Sequence, residues 1–220
     1  FVDRLALFWI CMSSTNRGAA VIASRAERAD YYATPIPAIH EFLSAFRADL
    51  ESGKLSWPPG WQDWSTPLSV LDPCAGGDAR RPMSYPTALA SAAPAWRVTS
   101  LDIREDSLAD YIGNYLEVSE RELAPPDVAI TNPPFNLALQ IIQHALEHVR
   151  PGGLVIMLLR LNFFGSKERR AFFLKQLPTV VYVHPRRMSF SENGKTDSIE
   201  YAHFIWQRGL FPNFSQLRVL

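Results

Sequence analysis

The chain has little of what several protein classes require. It has two cysteines, Cys11 and Cys74, too few for a disulfide framework, so a small stapled secreted scaffold is excluded and a reducing, cytoplasmic setting is expected. Its longest early apolar run, residues 5–12, is far short of the roughly 20 residues a membrane-spanning helix needs. Ser13-Ser14-Thr15-Asn16 behind that run offers no small-residue cleavage site, and no membrane association is expected. There are no internal repeats, no low-complexity tract and no net charge, with 22 Lys+Arg against 22 Asp+Glu. The chain opens on Phe1. The expectation is that Met12 is the natural start and residues 1–11 are read from upstream sequence, which an intact Phe1 segment in the mass spectrum of natively expressed protein would refute. What is present is 220 residues, 47% of them hydrophobic, enough for one core: an N-terminal extension over residues 1–30 and a single domain over residues 31–220 that includes an N-terminal arm helix.

The zero net charge hides an asymmetry. Residues 1–150 hold 12 basic and 18 acidic side chains, a balance of −6; residues 151–220 hold 10 and 4, a balance of +6. The basic third contains Arg160, Lys167, Arg169, Arg170, Lys175, Arg186, Arg187 and Lys195, and could meet a polyanion. By composition alone a solvated mixed surface is the simpler account.

From residue 68 the chain repeats a short apolar run, a polar or glycine-bearing turn and a helical stretch, the pattern of βα units on a parallel sheet. The expected strands are 68–71, 98–101, 128–131, 154–159, 180–183 and 201–206. Leu137, Ile141, Ile142, Ala145, Leu146 and Val149 recur at helical spacing over 137–149, and Pro151-Gly152-Gly153 stops that helix. Asn193-Gly194 suits an antiparallel return, so an antiparallel strand is expected at the end of the sheet. Upstream, Thr34 as N-cap and Pro35 at the first helical position would open an arm helix through Ile36, Ile39, Phe42, Leu43 and Phe46. Residues 54–67, with Trp57, Trp61 and Trp64, read as a connector shielding an edge rather than as a strand.

Ligands of open α/β sheets bind beyond the carboxyl ends of the strands, so the residues just after each apolar run carry the most information. After 68–71 comes Asp72-Pro73-Cys74-Ala75-Gly76-Gly77-Asp78, a small-residue turn that lets a ligand approach the backbone. After 98–101 comes the lone carboxylate Asp102, placed to accept from ribose hydroxyls or to serve as a helix N-cap. After 128–131 comes Asn132-Pro133-Pro134-Phe135, leading directly into the amphipathic helix. Each alone could be a tight turn or an incidental proline pair; their common spacing of 30 residues fits successive βα units.

With these elements in this order, residues 31–207 resemble the S-adenosylmethionine-dependent N6-adenine DNA methyltransferases, particularly the small phage and prophage types linked to restriction-modification. Asp72 to Gly77, Asp102 and Asn132 to Phe135 resemble motifs I, II and IV of that family, Tyr31-Tyr32-Ala33-Thr34-Pro35 its motif X, and Arg186-Arg187-Met188-Ser189-Phe190 its motif VIII. The resemblance implies a Rossmann-like class I methyltransferase fold: α/β, a mostly parallel seven-stranded sheet with an antiparallel last strand, and helices on both faces. It implies S-adenosylmethionine as cofactor, with S-adenosylhomocysteine as product. Tyr32, Thr34 and Pro35 of the arm would join the cofactor pocket, Asp72, Ala75 and Gly76 would lie against the methionine portion, Asp102 would hold the ribose, Ile103 would pack on the cofactor adenine, and Asn114 and Tyr115 would fall at motif III. Many relatives have Asp where Asn114 stands, and Gly76-Gly77 departs from their commoner Gly-x-Gly.

The chemistry suits the loop. The adenine N6 lone pair is delocalised into the ring; acceptance of its two hydrogens by the Asn132 oxygen and the Pro133 carbonyl would return density to nitrogen, with Phe135 stacked on the base and Pro134 stiffening the loop. A base in duplex DNA must be flipped to reach such a pocket. Phe190 could pack on it while Arg186, Arg187 and Lys195 meet flanking phosphates; an exposed charged turn and a buried aromatic are the plainer accounts of the same residues. His144-Ala145-Leu146-Glu147-His148 matches an inverted zinc-peptidase pattern, but the apolar stripe of the helix leaves His144, Glu147 and His148 on the polar face with no third-ligand helix, so no metal is expected. RNA adenine or protein glutamine methylation stays open as an alternative, as does a non-catalytic nucleic-acid-binding subunit. The sequence indicates neither a recognition site nor an oligomeric state.

Overall fold

The computed structural model describes residues 33–190 and 198–220. Tyr32, Lys195, the Asn193-Gly194 turn, Cys11 and the N-terminal extension lie outside the described residues.

Helix α1 (Ile36–Glu51) forms because Ile39, Phe42, Leu43, Phe46 and Leu50 make one buried stripe. Its N-cap is Pro35, with no side-chain cap bond, which corrects the assignment of that role to Thr34; the Thr34 hydroxyl is used elsewhere. Strand β1 (Ser69–Asp72) is followed by α2 (Ser84–Ala92), β2 (Arg97–Asp102) and the two-residue β3 (Tyr111–Ile112). Then come β4 (Val128–Thr131), α3 (Ala138–His148), β5 (Leu154–Arg160), α4 (Lys167–Phe173), β6 (Val180–Val183), β7 (Tyr201–Gln207) and β8 (Gln216–Val219).

These strands build one sheet in the order β3-β2-β1-β4-β5-β7-β6-β8. Among the described residues the sheet therefore has eight strands, not seven. The antiparallel strand, β7, is not the last: it lies between β5 and β6, antiparallel to both, and β8 follows it and pairs parallel to β6. The two strands absent from the sequence reading are β3, two exposed residues too short to show a period, and β8, an edge strand whose Leu217 and Val219 face solvent. A buried Asp49 at the end of α1 accepts from the Tyr182 hydroxyl at 2.8 Å and pairs with Arg218 of β8, tying that edge to the helix layer.

Alternation along the central strands divides the core into two layers. Val70, Val128, Ile130, Leu154 and Ile156 pack with α1, α2 and the tryptophans Trp61, Trp64 and Trp96. Leu71, Ala129, Val155, Met157 and Phe204 pack with α3 on the other face. The tryptophan segment contains no strand; Trp64 Nε1 donates to the Ala92 carbonyl at 2.9 Å, closing the end of α2. After α3 the chain turns through Gly152 (φ 79°), where a Cβ would come within 2.9 Å of the Pro59 ring. All parallel central strands thus end on one side, and β1, β2 and β4 deliver Asp72, Asp102 and Asn132 there.

Candidate active site

The first half of the site is made from the turns after β1 and β2. Ala75 N–H donates to the Leu101 carbonyl (2.9 Å), and Gly76 N–H donates to Asp102 Oδ2 (2.6 Å). Asp102 Oδ1 accepts the Arg104 N–H (2.8 Å), and the Ser107 hydroxyl donates to the Gly76 carbonyl (2.6 Å). One buried carboxylate thereby joins the two turns. At Gly77 (φ 72°) a Cβ would sit 2.6 Å from Met83 Cγ and 3.0 Å from Met83 N, so the turn has room for glycine alone. Asp72 is fully buried, and burial pushes its carboxyl up to about 7, against the pull of the Cys74 N–H on Oδ1 (3.3 Å) and with the charge of Asp102 adding to the rise. Ile103, next to Asp102, is 39% exposed, an apolar side chain held at the surface beside the turn.

The second half begins where β4 ends. Half-buried Asn132 donates from Nδ2 to the Thr34 hydroxyl at 3.1 Å, which brings the segment before α1 and the end of β4 together. Pro133 is buried and Pro134 half-buried; the Leu137 N–H accepted by the Pro134 carbonyl (3.0 Å) starts α3 at once. Phe135 and Phe190 converge on Tyr201: the ring centroids of Phe135 and Tyr201 are 6.1 Å apart, and those of Phe190 and Tyr201 4.8 Å apart, edge to face. Arg160 completes the group, its guanidinium carbon 4.0 Å from the Phe135 ring centre and its Nε donating to the Tyr201 hydroxyl (3.3 Å). Leu158 and Met188 pack beneath.

Other sequence-derived residues go elsewhere. Asn114 spends its side chain on the short turn Tyr115–Glu117, accepting from Leu116 N–H (3.1 Å) and donating to Glu117 (3.0 Å). Tyr115 is buried with its hydroxyl on His148 Nδ1 (3.2 Å) and its ring 4.7 Å from that of His144. Ala75 is buried and Pro35 partly so. Arg186 and Arg187 are exposed, with Arg187 3.7 Å from Glu200. The placement of His148 on a polar face is corrected: it is 3% exposed, and its Nε2 meets the Leu123 carbonyl at 3.0 Å, because residues 115–123 cover that side of α3. Among the described residues no group of three or more His, Cys, Asp or Glu side chains is arranged to hold a metal ion, and no helix is long and apolar enough to cross a membrane.

The sequence reading missed Tyr85, Tyr201, His184 and His203 and gave Arg160 only as one of many basic residues. None of them sits in a local motif; Tyr201 and His203 lie on a strand buried on both faces, where a buried polar side chain has no distinguishing neighbour.

No protein-family model matches the chain, and no curated protein sequence matches it. Solved structures do. A candidate class I S-adenosylmethionine-dependent methyltransferase from Listeria monocytogenes superposes with a TM-score of 0.57 at 15% identity, over 85% of this chain and 65% of that one. A candidate RNA methyltransferase from Pyrococcus horikoshii gives a TM-score of 0.52 at 15% identity, over 82% and 89%. The chain thus spans slightly less than two thirds of the Listeria protein. The fold is the Rossmann-like class I methyltransferase fold.

Proposed function

We propose that the protein transfers a methyl group from S-adenosylmethionine to the N6 amino group of adenine in DNA. The observation that carries this reading is the meeting of Asn132 with Thr34 at the end of β4, beside a cluster that gathers Phe135 and Phe190 around Tyr201 and Arg160. Two segments 55 residues apart contribute one aromatic each to the same place, as a platform for a planar base requires.

The cofactor suits the other half. When bound, S-adenosylmethionine supplies a methyl group on a positively charged sulfur. A buried Asp72 that burial holds near pH 7 gains from a cationic amino group placed nearby. The glycine turn lets a ligand lie against the backbone, Asp102 offers a carboxylate at a strand end, and Ile103 offers an exposed apolar face to an adenine ring. On the substrate side, the Asn132 oxygen and the Pro133 carbonyl accept the two amino hydrogens, the paired prolines keep both acceptors in place, and Phe135, braced by Arg160, holds the ring plane. An amide side chain presents the same planar amino group; the +6 balance of residues 151–220 favours a polyanion instead.

The test is to incubate the full chain with isotope-labelled S-adenosylmethionine and, in separate reactions, duplex DNA, single-stranded DNA, RNA and protein extract, then to identify the labelled product by mass spectrometry. Label in N6-methyladenine from duplex DNA is expected. Label only in RNA or in glutamine replaces the substrate, and absence of label with calorimetric cofactor binding makes the chain a binding subunit.

A further inference from the structure

The segment that leaves the candidate site after β5 becomes a basic, aromatic face that the methyl-transfer chemistry does not use. Residues 160–175 hold Arg160, Lys167, Arg169, Arg170 and Lys175 against one acid, Glu168, whose carboxylate accepts from the Ser166 hydroxyl. Arg169 is spent on the fold: its Nε donates to the Phe163 carbonyl (2.6 Å), and its guanidinium carbon lies 4.4 Å from the Phe163 ring centre. Lys167 and Arg170 remain exposed. Both line an open groove of about 570 Å³, together with Phe164, Phe173 and Leu174. Within it Phe164 is 37% and Leu174 68% exposed.

The ring of Phe164 is held from the protein side, with centroids 5.1 Å from Phe173 and 5.0 Å from Phe204, and still opens to solvent. A fixed aromatic ring with two cations beside it, and no acid among the residues lining the groove, is the combination that binds a single strand: the cations follow the phosphates and the ring takes an unpaired base. An acidic peptide would meet the same cations, but the location favours nucleic acid. Arg160, the last residue of β5, has its guanidinium on the Phe135 ring, and the turn Leu161–Phe164 begins directly after it. A turn of this type rises about 2.0 Å per residue, which puts Phe164 about 8 Å along it from Arg160. A stacked strand advances about 3.4 Å per nucleotide, so a base at Phe164 stands about two or three nucleotides from one held at Phe135.

We infer that this groove binds a single strand of nucleic acid leading to the candidate site, with its phosphates on Lys167 and Arg170 and an unpaired base on Phe164. The inference rests on the methyl-transfer reading for the base placed at Phe135, but strand binding is measured without any methyl transfer.

The experiment uses the full chain and a short fluorescent duplex with adenine at one end, either blunt or continued there as a tail of unpaired thymidines, titrated by anisotropy at several salt concentrations. The tail is expected to tighten binding about tenfold or more. It is also expected to steepen the slope of log affinity against log salt by about 1.4, as two counterions leave a single strand at about 0.7 each. Lys167→Ala combined with Arg170→Ala, both at exposed positions, should remove that extra slope. Phe164→Leu, which keeps an apolar side chain against Phe204, should lower affinity for the tailed duplex about fivefold and leave the extra slope in place. Both variants should bind the blunt duplex as wild type does, with urea unfolding as the check that each is folded. Equal affinity of wild type for tailed and blunt duplex overturns the inference, as does a tail effect that survives either variant. Polyglutamate that competes as well as single-stranded DNA of equal charge also overturns it and makes the groove a peptide site. A chain that shows the tail effect but makes no N6-methyladenine loses the methyl-transfer reading and keeps the groove; one that methylates blunt duplex without a tail effect does the reverse.

Discussion

The two halves of the candidate site are built by different means. The β1–β2 half is backbone held by carboxylates: within 36 positions, Asp102 receives two main-chain N–H groups and Ser107 closes on the Gly76 carbonyl. The β4 half is side chains from five separate segments, with Asn132 on Thr34 and Phe135, Arg160, Phe190 and Tyr201 around one another. A half made of turns fails through the backbone, so damage there also costs stability. A half made of converging side chains fails one contact at a time, so rate can be lost while the fold persists.

The largest expected effect tests that separation directly. Asn132→Ala should lower methyl transfer about 100- to 1000-fold, as loss of a placed polar group at a reacting centre does, with cofactor affinity within about twofold. Single-turnover rates and calorimetry on the same preparation check it; a parallel loss of both would show that the halves act as one. Asp102→Ala should do the reverse, weakening cofactor binding about tenfold or more and lowering stability by about 2 kcal/mol, because Gly76 and Arg104 lose the acceptor of their N–H groups. Unchanged urea unfolding in that variant would contradict the bracing role.

Asp72 sharpens the contrast through pH. Its folded pKa, about 7, lies above the ordinary carboxyl value of 3.8, so the folded chain holds a proton that the unfolded chain releases between them. The stability Asp72 contributes is present in full below pH about 4 and is lost as pH rises to about 7. Burial places His184 on the opposite slope: its folded pKa of about 4 is below the usual 6.5, so its contribution is present above 6.5 and lost as pH falls toward 4. Asp72→Asn should therefore remove a downward slope of up to about 1.4 kcal/mol per pH unit over pH 4–7, and His184→Gln an opposing one over pH 4–6.5. Urea unfolding at several pH values checks both signs. Binding of a cofactor that carries an ammonium group should also release protons from wild type at pH 6–7 and none from Asp72→Asn, seen by calorimetry in buffers of different ionisation enthalpy.

The same contrast explains what the sequence made legible. The six long strands and α3 were readable because each is a run of apolar residues closed by a turn signal, and the β1–β2 half was readable because its parts follow those runs directly. The two-residue β3 has no period to detect, and the exposed edge strand β8 carries its apolar residues outward. β7 was recognised as antiparallel, but its insertion between β5 and β6 depends on pairing partners that local pattern does not encode. Thr34 was placed as a cap from its neighbours, while its actual partner stands 98 positions away. Likewise Tyr85 and His203 meet across 118 positions, and only the folded sheet brings them together.

The smallest expected effect concerns the rim of the second half, where charge rather than packing would act. Arg187 is exposed and 3.7 Å from an equally exposed Glu200, a pair too solvated to matter for folding, so Arg187→Ala should change stability by less than about 0.5 kcal/mol. If the basic third meets phosphates, the same substitution should weaken duplex binding almost independently of sequence and reduce the slope of log affinity against log salt by about one. Phe190, a few residues on, packs against Tyr201 instead, so Phe190→Ala should leave that salt slope unchanged while lowering the rate. Fluorescence titrations of both variants against duplex DNA at several salt concentrations separate the two contributions. A salt slope that moves with Phe190 but not with Arg187 would mean that the arginine is solvated surface and that the polyanion is met elsewhere on the chain.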